Sequence, residues 1–257
     1  MSPLSSPAPL RTTPRLLWAL LRLAMAAVIV AAIVAQLIRT LGFAIDKDRD
    51  FLTVLTNFFS FFTILSNVLA AITLLLCGLW LLTRGRRRRF QPRALSVLLL
   101  SVGTYMVITG IVYNTLLRGI PLEPGGTVAW SNEVLHVVGP AMLLLELIFR
   151  VGVRPISWRA LWVVVGFPIV WVIYTMIRGE QITSPTTGQP WWYPYPFLNP
   201  YTVPNGYLGV AGYVVGISIT VIAVASLAIW WSRRRADAEA PLEQLNCPEP
   251  IASASAS

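Results

Sequence analysis

The chain has 257 residues, of which 56% are hydrophobic and only 12% are charged. A soluble domain is about 25% charged, so this composition excludes an ordinary soluble protein and indicates a polytopic membrane protein. The formal net charge of +9 does not indicate nucleic-acid binding. The arginines cluster between apolar runs, where they orient a membrane protein in the bilayer.

Six apolar runs are long enough to cross a hydrocarbon layer, which requires about 20 residues. We predict an all-α fold, a six-helix transmembrane bundle over residues 15–235, with helices near 16–38, 52–82, 94–117, 131–149, 160–177 and 207–231. The second run exceeds the required length, so we expect it to be tilted or to begin in the interface. The first resembles a secretory signal but is longer than a signal core, which favours a retained helix.

The basic residues alternate in density from loop to loop. Fourteen lie in the two tails and in the loops on the same side as the tails, and five lie on the opposite side. The positive-inside rule therefore predicts that both termini and the Arg84–Arg93 loop are cytoplasmic, in a multi-pass protein of the cell membrane. The run Arg86–Arg89 also suits anionic lipid head groups, although orientation alone explains it.

Outside the predicted helices, the two tails and one long loop are the most distinctive segments. Residues 1–14 and 236–257 are predicted to be disordered cytoplasmic tails. The loop 179–206 contains six prolines, which forbid a regular helix. Aromatic residues interleave with these prolines, among them Trp191, Trp192, Tyr193 and Tyr195. Such side chains favour the membrane interface, so the loop is either an interfacial anchor or a lid over a cavity between the helices.

Polar side chains recur inside two of the predicted spans. In the second span, four of them follow spacings of 4, 3 and 4 residues on one face of a continuous helix: Thr56, Ser60, Thr63 and Asn67. In the fourth span lies His136, the only histidine of the chain. An ionisable side chain at this depth is a functional-site candidate, although a histidine can also simply hydrogen-bond a neighbouring helix.

Nucleophilic catalysis needs a hydroxyl, a base and donors for an oxyanion. Thr63 and His136 supply the first two. The candidates for orienting the imidazole or binding the oxyanion are Asn132, Asn67 and Tyr113. A single histidine excludes a bis-histidine haem and a histidine-rich zinc site, so we expect no metal and no cofactor.

Two further ionisable residues lie in the fourth span, Glu133, which we expect near the membrane interface, and Glu146. Glu146 precedes Arg150 by four residues, a spacing that predicts an ion pair along the helix. His136 then stands as the one candidate for an intramembrane cation.

Four segments, FFTILSN, TGIVYN, NEVLHVVGPAMLLLE and WWYPYPFLNP, occur in this order. In this order they resemble the androgen-induced and androgen-dependent TFPI-regulating protein family and its bacterial relatives, over about Phe51 to Ala225. The resemblance implies a membrane threonine hydrolase that cleaves fatty acid esters of hydroxy fatty acids, with Thr63 as nucleophile and His136 as base. Ser66 stands where the animal members have an acidic residue three positions after the threonine.

The hydrolase hypothesis requires Thr63 and His136 to lie at similar depths in the membrane. At 1.5 Å per residue, a continuous second helix places Thr63 about 20 Å from Asp50, and His136 lies about 8 Å from Ser131. Hydrolysis requires the two side chains to converge. The alternative function, a non-catalytic carrier of small amphiphiles or a lipid-binding scaffold, tolerates their separation. In either case the expected partner is a membrane lipid or an acyl ester.

Overall fold

The structure is a computed structural model that describes residues 12–86, 88–121 and 123–245. Within these ranges every regular element is helical. Six helical segments are long and apolar enough to cross a membrane: Pro14–Asp46, Phe62–Leu82, Arg93–Leu117, Ala129–Phe149, Ala160–Gly179 and Tyr207–Arg235. The protein is an all-α, multi-pass membrane protein, as its composition predicts.

The helices are α1 (Thr12–Asp46), α2 (Phe51–Phe58), α3 (Phe62–Leu82), α4 (Arg93–Val112), α5 (Ala129–Glu133), α6 (Gly139–Phe149), α7 (Ala160–Gly179) and α8 (Tyr207–Leu245). A π-helical turn over Tyr113–Leu117 continues α4, and a second over Val134–Val138 joins α5 to α6. Short 3-10 turns occupy Arg84–Arg86 and Pro196–Leu198.

Two apolar clusters hold the bundle together. Helix α1 packs along α3, and α4 lies between α3, α6 and α8. Ile29, Leu74 and Leu143 belong to the cluster between α1, α3, α4 and α6. Val164 and Ala225 belong to the cluster between α4, α7 and α8. In hydrocarbon the helices associate through such close packing, because lipid tails are as apolar as the side chains.

The predicted continuous helix over 52–82 is wrong, because the helix is interrupted at residues 59–61, between α2 and α3. The Ser60 carbonyl accepts from Nε1 of Trp171 on α7 at 3.0 Å, and the backbone at Phe61 is extended (φ −69°, ψ 129°). Thr56 and Ser60 therefore do not continue the face that carries Thr63. Thr63 lies instead in the first turn of α3.

The ends of the chain differ from the prediction of disordered tails over 1–14 and 236–257. Helix α1 begins at Thr12 and α8 continues to Leu245. The remainder of both predicted tails, 1–11 and 246–257, lies outside the described residues.

A buried ion pair joins α1 to α6. Nε and Nη2 of Arg22 donate to the two carboxylate oxygens of Glu146 at 2.6 and 2.7 Å, and both side chains are 0% exposed. Nε1 of Trp18 donates to the same carboxylate at 3.0 Å. Nη2 of Arg22 also donates to the Val151 carbonyl, which places further acceptors around the buried charge.

This pair replaces the predicted one between Glu146 and Arg150. The Arg150 guanidinium donates to the backbone carbonyl of Arg154 instead. Arg22 is also an intramembrane cation, so the expectation that His136 stands alone in that role is wrong. The reason is geometric: an ion pair between two spans 124 residues apart leaves no local spacing pattern.

Candidate functional site

An apolar cavity of about 330 Å³ lies between α3, α4, α7, α8 and the proline- and aromatic-rich loop 179–206, hereafter the aromatic loop. Small-molecule sites begin at about this size. Thr63 and Thr109 line it and are buried, whereas Trp162, Ile169 and Ile222 on its rim are 79%, 52% and 44% exposed. Exposed apolar side chains on membrane-spanning helices face hydrocarbon, so the cavity opens sideways toward lipid.

Thr63 occupies a helix start, which shapes its hydrogen bonding. It is the second residue of α3, so its N–H has no partner within the helix. This N–H donates to the Tyr195 hydroxyl at 3.1 Å, and the Thr63 and Tyr195 hydroxyls hydrogen-bond each other at 3.1 Å. The positive end of the α3 dipole also points here, which favours negative charge beside Thr63.

Tyr195, which was predicted from the sequence only as a residue of the lid, is a residue of this site. Burial raises the pKa of Tyr195, against the opposing effect of its hydrogen bonds to Thr63. Its phenol therefore stays protonated at neutral pH and can donate. The contact spans 132 residues of sequence, so no spacing rule could have shown it.

His136 stacks on Tyr113, with ring centroids 4.1 Å apart and planes 25° from parallel. Its Nδ1 lies 2.9 Å from the Asn132 carbonyl oxygen. Because a carbonyl only accepts, Nδ1 carries the proton and Nε2 holds the lone pair that a general base requires. Asn132 thus orients the imidazole through its backbone, while its side-chain amide donates to the Tyr113 hydroxyl.

Both stacked rings lie in π-helical turns, which sequence reasoning did not predict. Pro140, four residues after His136, has no N–H to donate to the His136 carbonyl, so the regular α-helical ladder is interrupted before α6. Gly110 of α4 packs against this irregular stretch, and a Cβ there would lie 2.9 Å from Cβ of Pro140. π-Helical turns of this kind are frequent at functional sites.

Asn67 connects α3, which carries Thr63, to the π-helical turn that carries His136. Its Nδ2 donates to the Thr63 carbonyl at 2.9 Å and to the Leu135 carbonyl at 3.1 Å. One amide group thus links the residue that carries the hydroxyl to the neighbour of His136. The depth expected for Thr63 in a continuous second helix does not apply, because the break before α3 places Thr63 at the start of that helix.

The side chains of Thr63 and His136 nevertheless have different partners. The Thr63 hydroxyl lies on the cavity wall and bonds Tyr195, whereas Nδ1 of His136 bonds the Asn132 carbonyl. His136, Asn132 and Tyr113 are not among the described residues that line the cavity. In the described ranges no hydrogen bond joins Thr63 to His136.

The aromatic loop packs onto one end of the helix bundle. Trp192 contacts Phe61 edge-on, with centroids 5.7 Å apart, and Tyr193 and Tyr195 are buried. A Cβ on Gly179 would lie 2.3 Å from Cε1 of Tyr193, so only glycine fits beneath that ring. Trp191 is half-buried and stacks on Tyr201 of the same loop, with ring centroids 5.0 Å apart.

A carboxylate ties this loop to α8. Glu180 accepts hydrogen bonds from the hydroxyls of Tyr193, Tyr201 and Tyr207 at 2.6, 2.7 and 2.8 Å. These three bonds hold the pKa of Glu180 below its usual value. The carboxylate therefore stays ionised, and the loop stays pinned, well below neutral pH.

The described residues contain no group of three or more His, Cys, Asp or Glu side chains that could hold a metal ion. In comparisons with known proteins, no family model, no curated protein and no solved structure matches the chain.

Proposed function

We propose that the protein is an integral-membrane hydrolase of fatty-acyl esters, with Thr63 as nucleophile and His136 as base. The observation that carries the proposal is the position of the Thr63 hydroxyl on the wall of an apolar cavity that opens toward lipid. An acyl chain that enters from the bilayer fills such a cavity without leaving an apolar environment. The resemblance of FFTILSN and NEVLHVVGPAMLLLE to the membrane threonine hydrolases supports the same assignment.

The chemistry follows from the groups present. Oγ1 of Thr63 attacks the ester carbonyl carbon while Nε2 of His136 takes the hydroxyl proton. The ester C–O bond then breaks, and His136 returns the proton to the leaving alcohol. Water hydrolyses the acyl-threonine to the fatty acid and free Thr63. The Tyr195 hydroxyl is the candidate donor to the oxyanion.

This mechanism makes one structural demand. Nε2 of His136 and the Thr63 hydroxyl must come within about 2.6–3.2 Å in the productive state. The hydroxyl has to turn from Tyr195 toward the imidazole, which leaves the Tyr195 phenol free to donate to the substrate. Catalytic contacts often tighten only when substrate is bound.

Filling the cavity tests the binding step. Val221 lines the cavity on α8 and is 4% exposed, whereas Val215 on the same helix is 58% exposed and does not line it. Each methylene of the acyl chain that a bulkier side chain keeps out of the cavity costs about 0.8 kcal/mol of binding free energy. Excluding two methylenes therefore weakens binding about tenfold. We expect Val221→Trp to lower cross-linking of a photoactivatable acyl ester in lipid nanodiscs about tenfold.

Val215→Trp is the matched control and should cross-link like the unmodified protein. Equal labelling of all three proteins would show that the acyl chain binds elsewhere, and the proposal would fail. Mapping the cross-linked peptide to α3, α7 or α8 adds a positional check.

A non-catalytic function, as a carrier of small amphiphiles or a lipid-binding scaffold, is the second candidate. It is favoured by the hydrogen bond of the Thr63 hydroxyl to Tyr195 and by the absence of His136 from the described cavity wall. It predicts the same cavity labelling as the hydrolase but no ester cleavage, so the two functions separate in the activity assay discussed below.

We also propose that both termini are cytoplasmic and that the protein resides in the cell membrane. The distribution of fourteen against five basic residues supports this orientation. Reporter fusions after Arg93 and after Ser232 should both report the cytoplasm. An external signal from either fusion would contradict the proposed topology.

A further inference from the structure

Three buried polar atoms lie where α2 packs against α7, at the end of the bundle that carries the aromatic loop. They are Nδ2 of Asn57, Oγ1 of Thr175 and Nη1 of Arg178, and none of them has a hydrogen-bond partner among the described residues. Asn57 and Thr175 are only 5% and 3% exposed. Buried polar groups are nearly always hydrogen-bonded, so three unpaired atoms in one contact indicate a bound group of complementary polarity.

The contact between α2 and α7 fixes how these atoms are arranged. On α7, Trp171, Thr175 and Arg178 follow spacings of 4 and 3 residues on one face of the helix. Trp171 donates to the Ser60 carbonyl just after α2, and Nη2 of Arg178 donates to Oδ1 of Asn57 at 2.8 Å. Thr175 lies between these two contacts. Because Oδ1 of Asn57 accepts from Arg178, the orientation of the amide is set and its Nδ2 is the donor left over.

Arg178 is a half-buried cation whose partners in the described part of the chain are all uncharged. Its Nη2 also donates to Oγ1 of Thr56 at 3.0 Å, and its guanidinium lies over the Trp192 ring, 5.4 Å from the centroid. The nearest carboxylate in sequence, Glu180, accepts from three tyrosine hydroxyls instead. A guanidinium with an unused N–H, beside an unused amide, suits an anion that has several acceptor oxygens.

A row of aromatic rings connects Arg178 to the apolar cavity. Trp192, which covers the guanidinium, packs edge-on against Phe61 with centroids 5.7 Å apart. Phe61 in turn packs edge-on against Tyr195 at 5.5 Å, and Tyr195 and Trp171 line the cavity. Arg178 lies about 10 Å along α7 from Trp171, at 1.5 Å per residue. The charge therefore stands at the aromatic-loop end of a cavity that is otherwise apolar.

We propose that Arg178, Asn57 and Thr175 bind the carboxylate of a fatty acid whose chain lies in the apolar cavity. The planar guanidinium matches carboxylate oxygens in geometry and in charge, and the Asn57 amide and the Thr175 hydroxyl donate to the remaining lone pairs. Trp192 moves off the guanidinium to admit the head group, which is the movement expected of a lid. The inference rests on the binding step of the proposed function, an acyl chain in the cavity, and not on the chemistry of Thr63.

The test compares a fatty acid with an alcohol of the same chain length. Photoactivatable dodecanoic acid and photoactivatable 1-dodecanol are cross-linked to the full-length protein in phosphatidylcholine nanodiscs, at a pH at which the acid is ionised. The acid should label the protein at a concentration about tenfold lower than the alcohol, because its hydrogen bonds are charge-assisted. Neither probe contains an ester, so hydrolysis does not enter. Labelling without preference for the acid would overturn the carboxylate site and leave the acyl cavity intact, whereas labelling by neither probe would overturn both.

Variants decide whether these residues form the site. Arg178→Gln should weaken labelling by the acid about tenfold or more and leave labelling by the alcohol unchanged. Arg49→Gln is the matched control and should label like the unmodified protein, because the charge of Arg49 is already paired with Glu123 at the same end of the bundle. Equal losses for acid and alcohol in a folded Arg178→Gln protein would overturn the proposal.

Thr175→Val provides a second variant should Arg178→Gln fail to fold. It keeps the shape of the side chain and removes a hydroxyl that has no partner among the described residues. A purely structural role predicts an unchanged or more stable protein with unchanged labelling, since an unpaired buried hydroxyl is unfavourable. A carboxylate site predicts labelling by the acid about threefold weaker or more, with labelling by the alcohol unchanged. Unchanged labelling by the acid in Thr175→Val would overturn the proposal.

Discussion

Thr63→Ala and His136→Ala should each remove nearly all esterase activity, by about 100-fold or more, because general-base assistance alone contributes about 10²–10⁴. If the two residues act as a unit, the double variant should lose little beyond either single variant. Thr63→Ser should retain measurable turnover, since it keeps the hydroxyl. The assay is release of fatty acid from a medium-chain ester by the purified protein in nanodiscs.

Thr104→Ala provides the matched control for this series. Thr104 is a buried threonine of α4 whose hydroxyl donates to its own helix at the Leu100 carbonyl, and it does not line the cavity. Loss of the Thr104 hydroxyl should leave turnover unchanged. Full esterase activity in Thr63→Ala would end the threonine mechanism. Acyl cross-linking without hydrolysis in the unmodified protein would favour the carrier or scaffold.

Tyr195 adds a sharper version of this test. Its hydroxyl is the present partner of the Thr63 hydroxyl, and in the proposed mechanism it becomes a donor to the oxyanion. Tyr195→Phe should therefore lower kcat by about 100-fold or more, as the loss of one oxyanion donor does in other enzymes. KM should change little, because Phe keeps the apolar wall. The variant is informative for the lid as well, since it preserves the ring that packs on Phe61.

The spans of the bundle were predictable because hydropathy is a local property of sequence. The break before α3 was not, since it depends on Trp171, more than a hundred residues later, binding the Ser60 carbonyl. The same limit applies to Tyr195. Thr63 and His136 are visible in the sequence as polar residues within apolar runs, and the Asn132 carbonyl that bonds His136 lies only four residues away. The Tyr195 hydroxyl that bonds Thr63 lies 132 residues away and leaves no such local pattern.

The buried pair of Arg22 and Glu146 is another contact between distant residues that the sequence does not reveal, and we expect it to contribute strongly to stability. Removing one partner leaves an uncompensated buried charge, which costs about 3–5 kcal/mol. For a domain of this size each kcal/mol corresponds to about 2–4 °C. We therefore expect Glu146→Ala and Arg22→Ala each to lower the melting temperature in detergent by about 10 °C.

The double variant Arg22→Met/Glu146→Leu separates the cost of a broken pair from the value of the pair itself. It removes both charges and keeps apolar volume, so it should melt well above either single variant. Arg49 and Glu123 form a control pair at the opposite end of the bundle, bidentate at 2.7 and 3.0 Å but partly exposed. Exposed pairs contribute about 0–1 kcal/mol, so Glu123→Ala should shift the melting temperature by no more than a few degrees. Equal shifts for Glu146→Ala and Glu123→Ala would contradict this prediction, because they would mean that water reaches the Arg22–Glu146 pair between α1 and α6.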